Sequence, residues 1–283
     1  MFQFLRKKYQ EDAPDENELS VRDALLADRP SDIFWRWSQT GELTEILPDL
    51  AVLRDVSQLP AHRDNALIHT LKVVDAIEPT PVRRWAALLH DIGKGPAYIE
   101  TPEGRSRFFE HDHIGAAMVP EIMQAAHEDE ELIEPVRRLV SLHMRPISYD
   151  PEWTDAAVRR LREEAEEGRG EEGWHDMLAL ARADLRGYLP EPIDRGLWVL
   201  EQLEARAQRL LEQEQQAAFE REEAPRSPLD GHRLLDLADR LPGPWVADLK
   251  DYLLAAVLAG RLDVDDTASA EALALAWLAE HGE

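Results

Sequence analysis

Several helix-length runs in this chain carry an ionisable side chain where a core residue belongs, and that feature constrains the fold more than any other. His90 and Asp91 adjoin at the end of an apolar run, Trp85-Ala86-Ala87-Leu88-Leu89-His90-Asp91-Ile92-Gly93-Lys94. An ionised carboxylate without a partner in an apolar setting is strongly unfavourable, so it coordinates a cation, pairs with one or takes up a proton. Candidate partners recur elsewhere at the i, i+3, i+4, i+7 spacing of residues that share a helix face. His69 lies with Ala66, Val73 and Ile77, and His143 follows Val136, Leu139 and Val140. Asp184 follows Met177, Leu180 and Ala181 by seven, four and three positions, which places a carboxylate on a core stripe. The expectation is an all-α protein in which these groups meet.

Two imidazoles and two carboxylates, His69, His90, Asp91 and Asp184, make a mixed nitrogen and oxygen ligand set. Such a set suits a divalent ion such as Mn, Ni, Co, Fe, Mg or Zn, and ligand type does not choose among them. A bound cation would polarise a phosphoryl oxygen and acidify a water, so that no Ser or Cys nucleophile is needed. The chain has no cysteine, which excludes thiol catalysis. Lys94, three residues after Asp91, is read as a phosphate contact, and Asp91 and Lys94 as the catalytic pair. His111, at an expected helix start, and His143 are candidates for a second metal or for contacting the phosphate. The sequence does not distinguish one ion from two. Asp263 and Asp265, a second acidic pair, read as a solvated turn.

His69-Thr70-Leu71, then LLHDIGKGPAY, FFEHDHIGAA, LVSLHMRP and ARADLRGY, occur in the order and spacing of the HD-domain metal-dependent phosphohydrolases. They resemble most the HD domain of bacterial CCA-adding tRNA nucleotidyltransferases. The resemblance extends upstream over WRWSQTGELTEILPDLAVL, residues 35–53, and downstream from Ser227 to Glu280. It implies the metal ligands His69, His90, Asp91 and Asp184, and hydrolysis of 2′,3′-cyclic phosphates, 2′-nucleotides or phosphomonoesters. Two departures stand out. No Gly-Ser turn followed by a strand with paired aspartates occurs upstream, so nucleotide addition is not expected of this sequence. Glu110 stands where the family more often has glycine. The rival reading is a non-catalytic adaptor that docks tRNA or protein and keeps the HD residues only to cross-link helices.

At 283 residues with 44% hydrophobic content, the chain can bury one large core or two small ones. Its first residues, Met-Phe-Gln-Phe-Leu-Arg-Lys-Lys, have apolar before basic, the reverse of a secretory signal, and no stretch nears the roughly 20 apolar residues that span a bilayer. A cytoplasmic protein with no membrane association is the expectation. A formal charge of −25, from 57 acidic and 32 basic residues, disfavours tight binding of long RNA, leaving small phosphoesters or nucleotides as partners and RNA ends or tRNA only weakly. Only 5 of the basic residues are Lys. An acidic, lysine-poor surface fits a salt-rich cytosol, although GC-rich codon usage gives the same arginine bias. Oligomeric state is not legible.

Along the chain the reading is a charged arm over 1–18, a helical neck-like region over 19–59, the HD domain over 60–190, a long acidic helix and linker over 191–226, and a helical tail domain over 227–283. Ser20 and Ser31 are expected N-caps. Glu163 to Gly173 reads as a charged helix end and loop, and the helix from about 192 to 223 as leaving the core. Arg182 and Arg186 flank Asp184 and are candidates to orient it. Almost no alternating strand pattern is present.

Overall fold

The computed structural model describes residues 19–57, 64–101, 106–187, 190–238 and 240–281, so the expected arm over 1–18 lies outside the described residues. The fold is all-α apart from one small hairpin. The chain divides into two compact units, the first ending at Leu210 and the second beginning at Leu211.

The first unit opens with four short helices, α1 (Val21–Leu26), α2 (Pro30–Thr40), α3 (Glu42–Ile46) and α4 (Pro48–Val52). Ser20 caps α1, its Oγ accepting from the Asp23 N–H, which supplies a partner for an otherwise unsatisfied donor of the first turn. Ser31 does not cap α2. Pro30 already occupies the first turn, where its missing N–H costs nothing, and Ser31 Oγ instead donates to Asp75 Oδ2 at 2.5 Å. Gly41, at φ +94, ends α2 in the left-handed conformation that glycine adopts without a Cβ clash. Phe34 and Trp37 turn inward from α2, their rings edge to face at 5.1 Å.

The helices that bear the polar residues follow. They are α5 (Ala66–Ala76), α6 (Pro81–Leu89), α7 (His111–Ala125), α8 (Glu130–Leu142), the single turn α9 (Met144–Ile147), α10 (Asp155–Glu166) and α11 (Glu171–Leu185). Asn65, Thr80 and Thr154 cap α5, α6 and α10 through their side chains. The apolar stripes of α5, α6, α7, α8 and α11 share one core that includes Leu67, Trp85, Leu88, Met123, Val140 and Leu178. A 3-10 turn, Ile92–Lys94, leads from α6 into an antiparallel hairpin of β1 (Tyr98–Glu100) and β2 (Ser106–Phe108), with Tyr98 opposite Phe108. Three-residue strands are too short for alternation to be read in the sequence. The charged stretch Glu163 to Gly173 is the end of α10, a turn over 167–170 and the first residues of α11.

The long helix α12 (Pro190–Glu223) packs on the core through its middle: Leu200, Leu203, Ala207 and Leu210 are buried against it at helical spacing. In the second unit α13 (Gly231–Ala238), α14 (Trp245–Leu258) and α15 (Thr267–His281) enclose a small core of Leu234, Trp245, Leu249, Leu253, Ala270 and Ala274. Asp263 and Asp265 lie in a turn before α15, where Asp263 Oδ1 accepts from the Asp265 N–H. No described helix is long and apolar enough to cross a membrane.

Candidate metal centre

Six polar residues from five helix ends and segments come together inside the first unit, all of them buried: His69, His90, Asp91, His111, His143 and Asp184. His69 comes from the first turn of α5 and Asp184 from the last turn of α11. His90 and His143 stand at the C-caps of α6 and α8, and His111 is the first residue of α7. His90 Nδ1 lies 2.8 Å from Ala87 O and His143 Nδ1 2.6 Å from Val140 O, in each case the carbonyl three residues back. Carbonyls in the last turn of a helix lack an intrahelical donor, so each imidazole caps its own helix. His111 Nδ1 lies 3.0 Å from Phe108 O, also three residues back but at the end of β2 rather than in a helix.

Those three bonds decide the tautomers. A carbonyl oxygen can only accept, so Nδ1 carries a proton in each ring and Nε2 is the atom directed into the centre. His111 Nε2 and His143 Nε2 face each other within hydrogen-bond distance, 3.3 Å apart. His90 Nε2 is buried, 3.2 Å from Asp91 Oδ2, and makes no hydrogen bond. Imidazole nitrogens and carboxylate oxygens gathered in a buried site make a donor set that could hold a cation.

The six divide into two sets. His69, His90 and Asp184 form one: His69 Nε2 is 2.8 Å and His90 Nε2 3.7 Å from Asp184 Oδ1. Asp91, His111 and His143 form the other, with Asp91 Oδ1 3.5 Å from His111 Nε2 and 3.9 Å from His143 Nε2. Asp91 Oδ2 faces the first set, 3.8 Å from His69 Nε2. One carboxylate thus presents an oxygen to each set and could bridge two ions.

Burial works against the charge on His90, but Asp91 and Asp184 outweigh it and raise its pKa above the ordinary value. Burial, with His90 and His111 nearby, pushes His143 down to about 4 and keeps it neutral near pH 7. Both carboxylates stay below their usual range despite burial, Asp91 through His90 and Lys94, Asp184 through the hydrogen bond from His69. Lys94 Nζ lies 2.6 Å from Asp91 Oδ2. Asp176 offers a contrast: it is equally buried, but Arg83 Nε at 2.6 Å and Arg169 Nη2 at 3.0 Å neutralise it, as in a structural ion pair.

Two close approaches lock the arrangement. A Cβ on Gly93 would fall 2.1 Å from the His111 carbonyl, so only glycine lets the turn after Asp91 lie on the start of α7. A Cβ on Gly187 would fall 2.2 Å from His69 Nδ1. The motif ARADLRGY contains that glycine, but its use as a floor for His69 cannot be read from spacing. Neither arginine orients Asp184: Arg182 Nη2 pairs with Glu204 at 2.5 Å, and Arg186 Nη1 donates to Ala76 O at 3.1 Å.

The chain is 26% identical over 239 residues to an A-adding tRNA nucleotidyltransferase of Deinococcus radiodurans, covering 81% of this chain and 51% of that protein. It is 29% identical to a multifunctional CCA protein of Polaromonas naphthalenivorans over 58% of this chain and 39% of the relative, and 30% identical to that of Ralstonia nicotianae over 60% and 41%. The chain therefore spans about half the length, or less, of these curated relatives. Residues 69–242 match the HD domain model, a family of metal-dependent phosphohydrolases. More than half of the sequence lies within that match, and the chain belongs to the HD-domain family.

Proposed function

We propose that this protein is a metal-dependent phosphohydrolase of small phosphoesters, the class that includes 2′,3′-cyclic nucleotides, 2′-nucleotides and phosphomonoesters. The observation that carries the reading is the convergence of buried imidazole Nε2 atoms on the carboxylates of Asp91 and Asp184, the rings of His90, His111 and His143 each held to a backbone carbonyl through Nδ1. His69, His90 and Asp184 would hold one divalent ion, His111 and His143 a second, with Asp91 shared. A divalent ion there supplies Lewis acidity toward a phosphoryl oxygen and acidifies a water. Asp91 orients whatever lies between the two sets. Lys94, at the edge of the centre, places an ammonium where a phosphate would enter and steadies the charge that develops in the transition state.

Elemental analysis of the purified protein, followed by a screen of cyclic and linear nucleotides with each divalent metal, tests this reading. Asp91→Asn should lose bound metal and at least about a hundredfold in activity, since groups that merely support a metal ligand already account for roughly 10- to 100-fold. Wild-type rates in that variant would overturn the mechanism. Stoichiometric tRNA binding without hydrolysis would replace the enzyme by an adaptor.

A further inference from the structure

Lys94 and His111 mark the least enclosed side of the centre. His69, His90, Asp91, His143 and Asp184 are 1–3% exposed, whereas Lys94 and His111 each reach 8%. A substrate therefore arrives past those two side chains. The hairpin leads outward from the same place: Lys94 Nζ sits 5.5 Å from the centre of the Phe108 ring. Tyr98, the cross-strand partner of Phe108, has its ring 6.0 Å from that ring and tilted by 48°. Register partners point to the same face of a hairpin, so Tyr98, Phe108 and Lys94 form one surface, and Ile99 and Arg107 belong to the other. Exposure rises along this surface from Asp91 at 2% through Lys94 to Tyr98 at 39%.

Resting on the phosphohydrolase reading, we propose that Tyr98 and Phe108 form a stacking wall for a nucleobase, which makes the substrate a nucleoside phosphate rather than a base-free phosphoester. The order of groups along the surface matches the order within such a molecule. The phosphate meets Asp91 and Lys94, the ribose crosses the ammonium, and the base lies on the rings. Every base has a π face, so an aromatic wall accepts nucleotides without choosing among them. A tyrosine ring adds an apolar body with a polar tip that stays hydrated when the face is covered. A ring kept only to close the hairpin would gain by being buried, and Tyr98 is exposed.

The test compares metal-loaded wild type, Tyr98→Ala, Tyr98→Phe and Ile99→Ala on 2′,3′-cyclic AMP and on methyl ribofuranoside 2′,3′-cyclic phosphate, which lacks the base. Wild type should prefer the base-bearing substrate. Tyr98→Ala should lower the ratio of the two kcat/KM values about tenfold, chiefly through the KM for cyclic AMP, and Tyr98→Phe should restore it. Ile99→Ala, on the opposite face, should leave the ratio where it is. Equal use of both substrates by wild type, or an unaltered ratio in Tyr98→Ala, overturns the wall and leaves the hydrolase standing. AMP binding followed by NMR separates the two readings if neither ester is hydrolysed. Binding weakened by Tyr98→Ala would then support the wall without the hydrolase, and binding equal in both proteins would remove it.

Discussion

Glu110 shows how much a single residue contributes to the centre. It precedes His111 with φ +55 and ψ +24, in the left-handed region where a non-glycine side chain is strained by about 1 kcal/mol or more. The turn it makes ends β2 at Phe108 and starts α7 at His111, so that the His111 Nδ1–H reaches back to the Phe108 carbonyl. The same site carries glycine more often in the family that the sequence resembles, which fits a backbone requirement rather than a side-chain one. Glu110 itself is exposed. Glu110→Gly should therefore stabilise the fold by up to about 1 kcal/mol, part of the strain relief being offset by the greater entropy of glycine in the unfolded chain. Urea denaturation of the two proteins measures it, and a loss of stability would mean that the Glu110 side chain contributes more than its conformation costs.

At the scale of elements, the centre is a meeting of helix ends. The C-termini of α6 and α8 offer carbonyls that the imidazoles of His90 and His143 cap, and the start of α5 is held down by the turn that follows α11. Gly187 in that turn touches the His69 ring. In a Gly187→Ala variant the new Cβ, 2.2 Å from Nδ1 in the present geometry, would force the ring away from Asp184 or the turn away from α5. Overpacking of this kind costs about 1–3 kcal/mol. The expected outcome is a folded, helical protein whose metal affinity falls at least about tenfold, read by circular dichroism alongside metal titration. Unchanged affinity would show that the turn can move without disturbing His69. The periodicity of α5, α8 and α11 makes the inward side of His69, His143 and Asp184 readable from sequence. Gly187 is not, because its partner lies more than a hundred residues earlier.

For the whole molecule, the net charge of −25 opposes compaction, and many of the exposed ion pairs, such as Arg137 with Glu134 and Arg233 with Glu271, contribute at most about 1 kcal/mol each. Salt shortens the range of repulsion from about 10 Å at 0.1 M to about 3 Å at 1 M, and it weakens those exposed pairs only slightly in total. The melting temperature should accordingly rise by several degrees between low and molar salt. A constant or falling value in differential scanning calorimetry would show that surface pairing, not net repulsion, dominates. The buried pair of Asp176 with Arg83 and Arg169 is shielded from that effect.

Helical class, the core-facing side of His69, His143 and Asp184, and the abrupt polarity of His90-Asp91 follow from the sequence by itself, because each is a property of one helix and its period. Burying an ionisable group is expensive enough that its place on an apolar stripe signals a partner even when the partner is unknown. Which groups share a partner was decided only by the tertiary structure. Asp184 meets His69 across 115 residues, and the two oxygens of Asp91 turn to different sets of ligands, a division that no spacing encodes. The same holds for Ser31, whose hydroxyl is drawn from a cap to Asp75, and for the hairpin beside Lys94, whose strands are too short to show a period. Local pattern reports the face a residue occupies; the crossing of helices determines what that face meets.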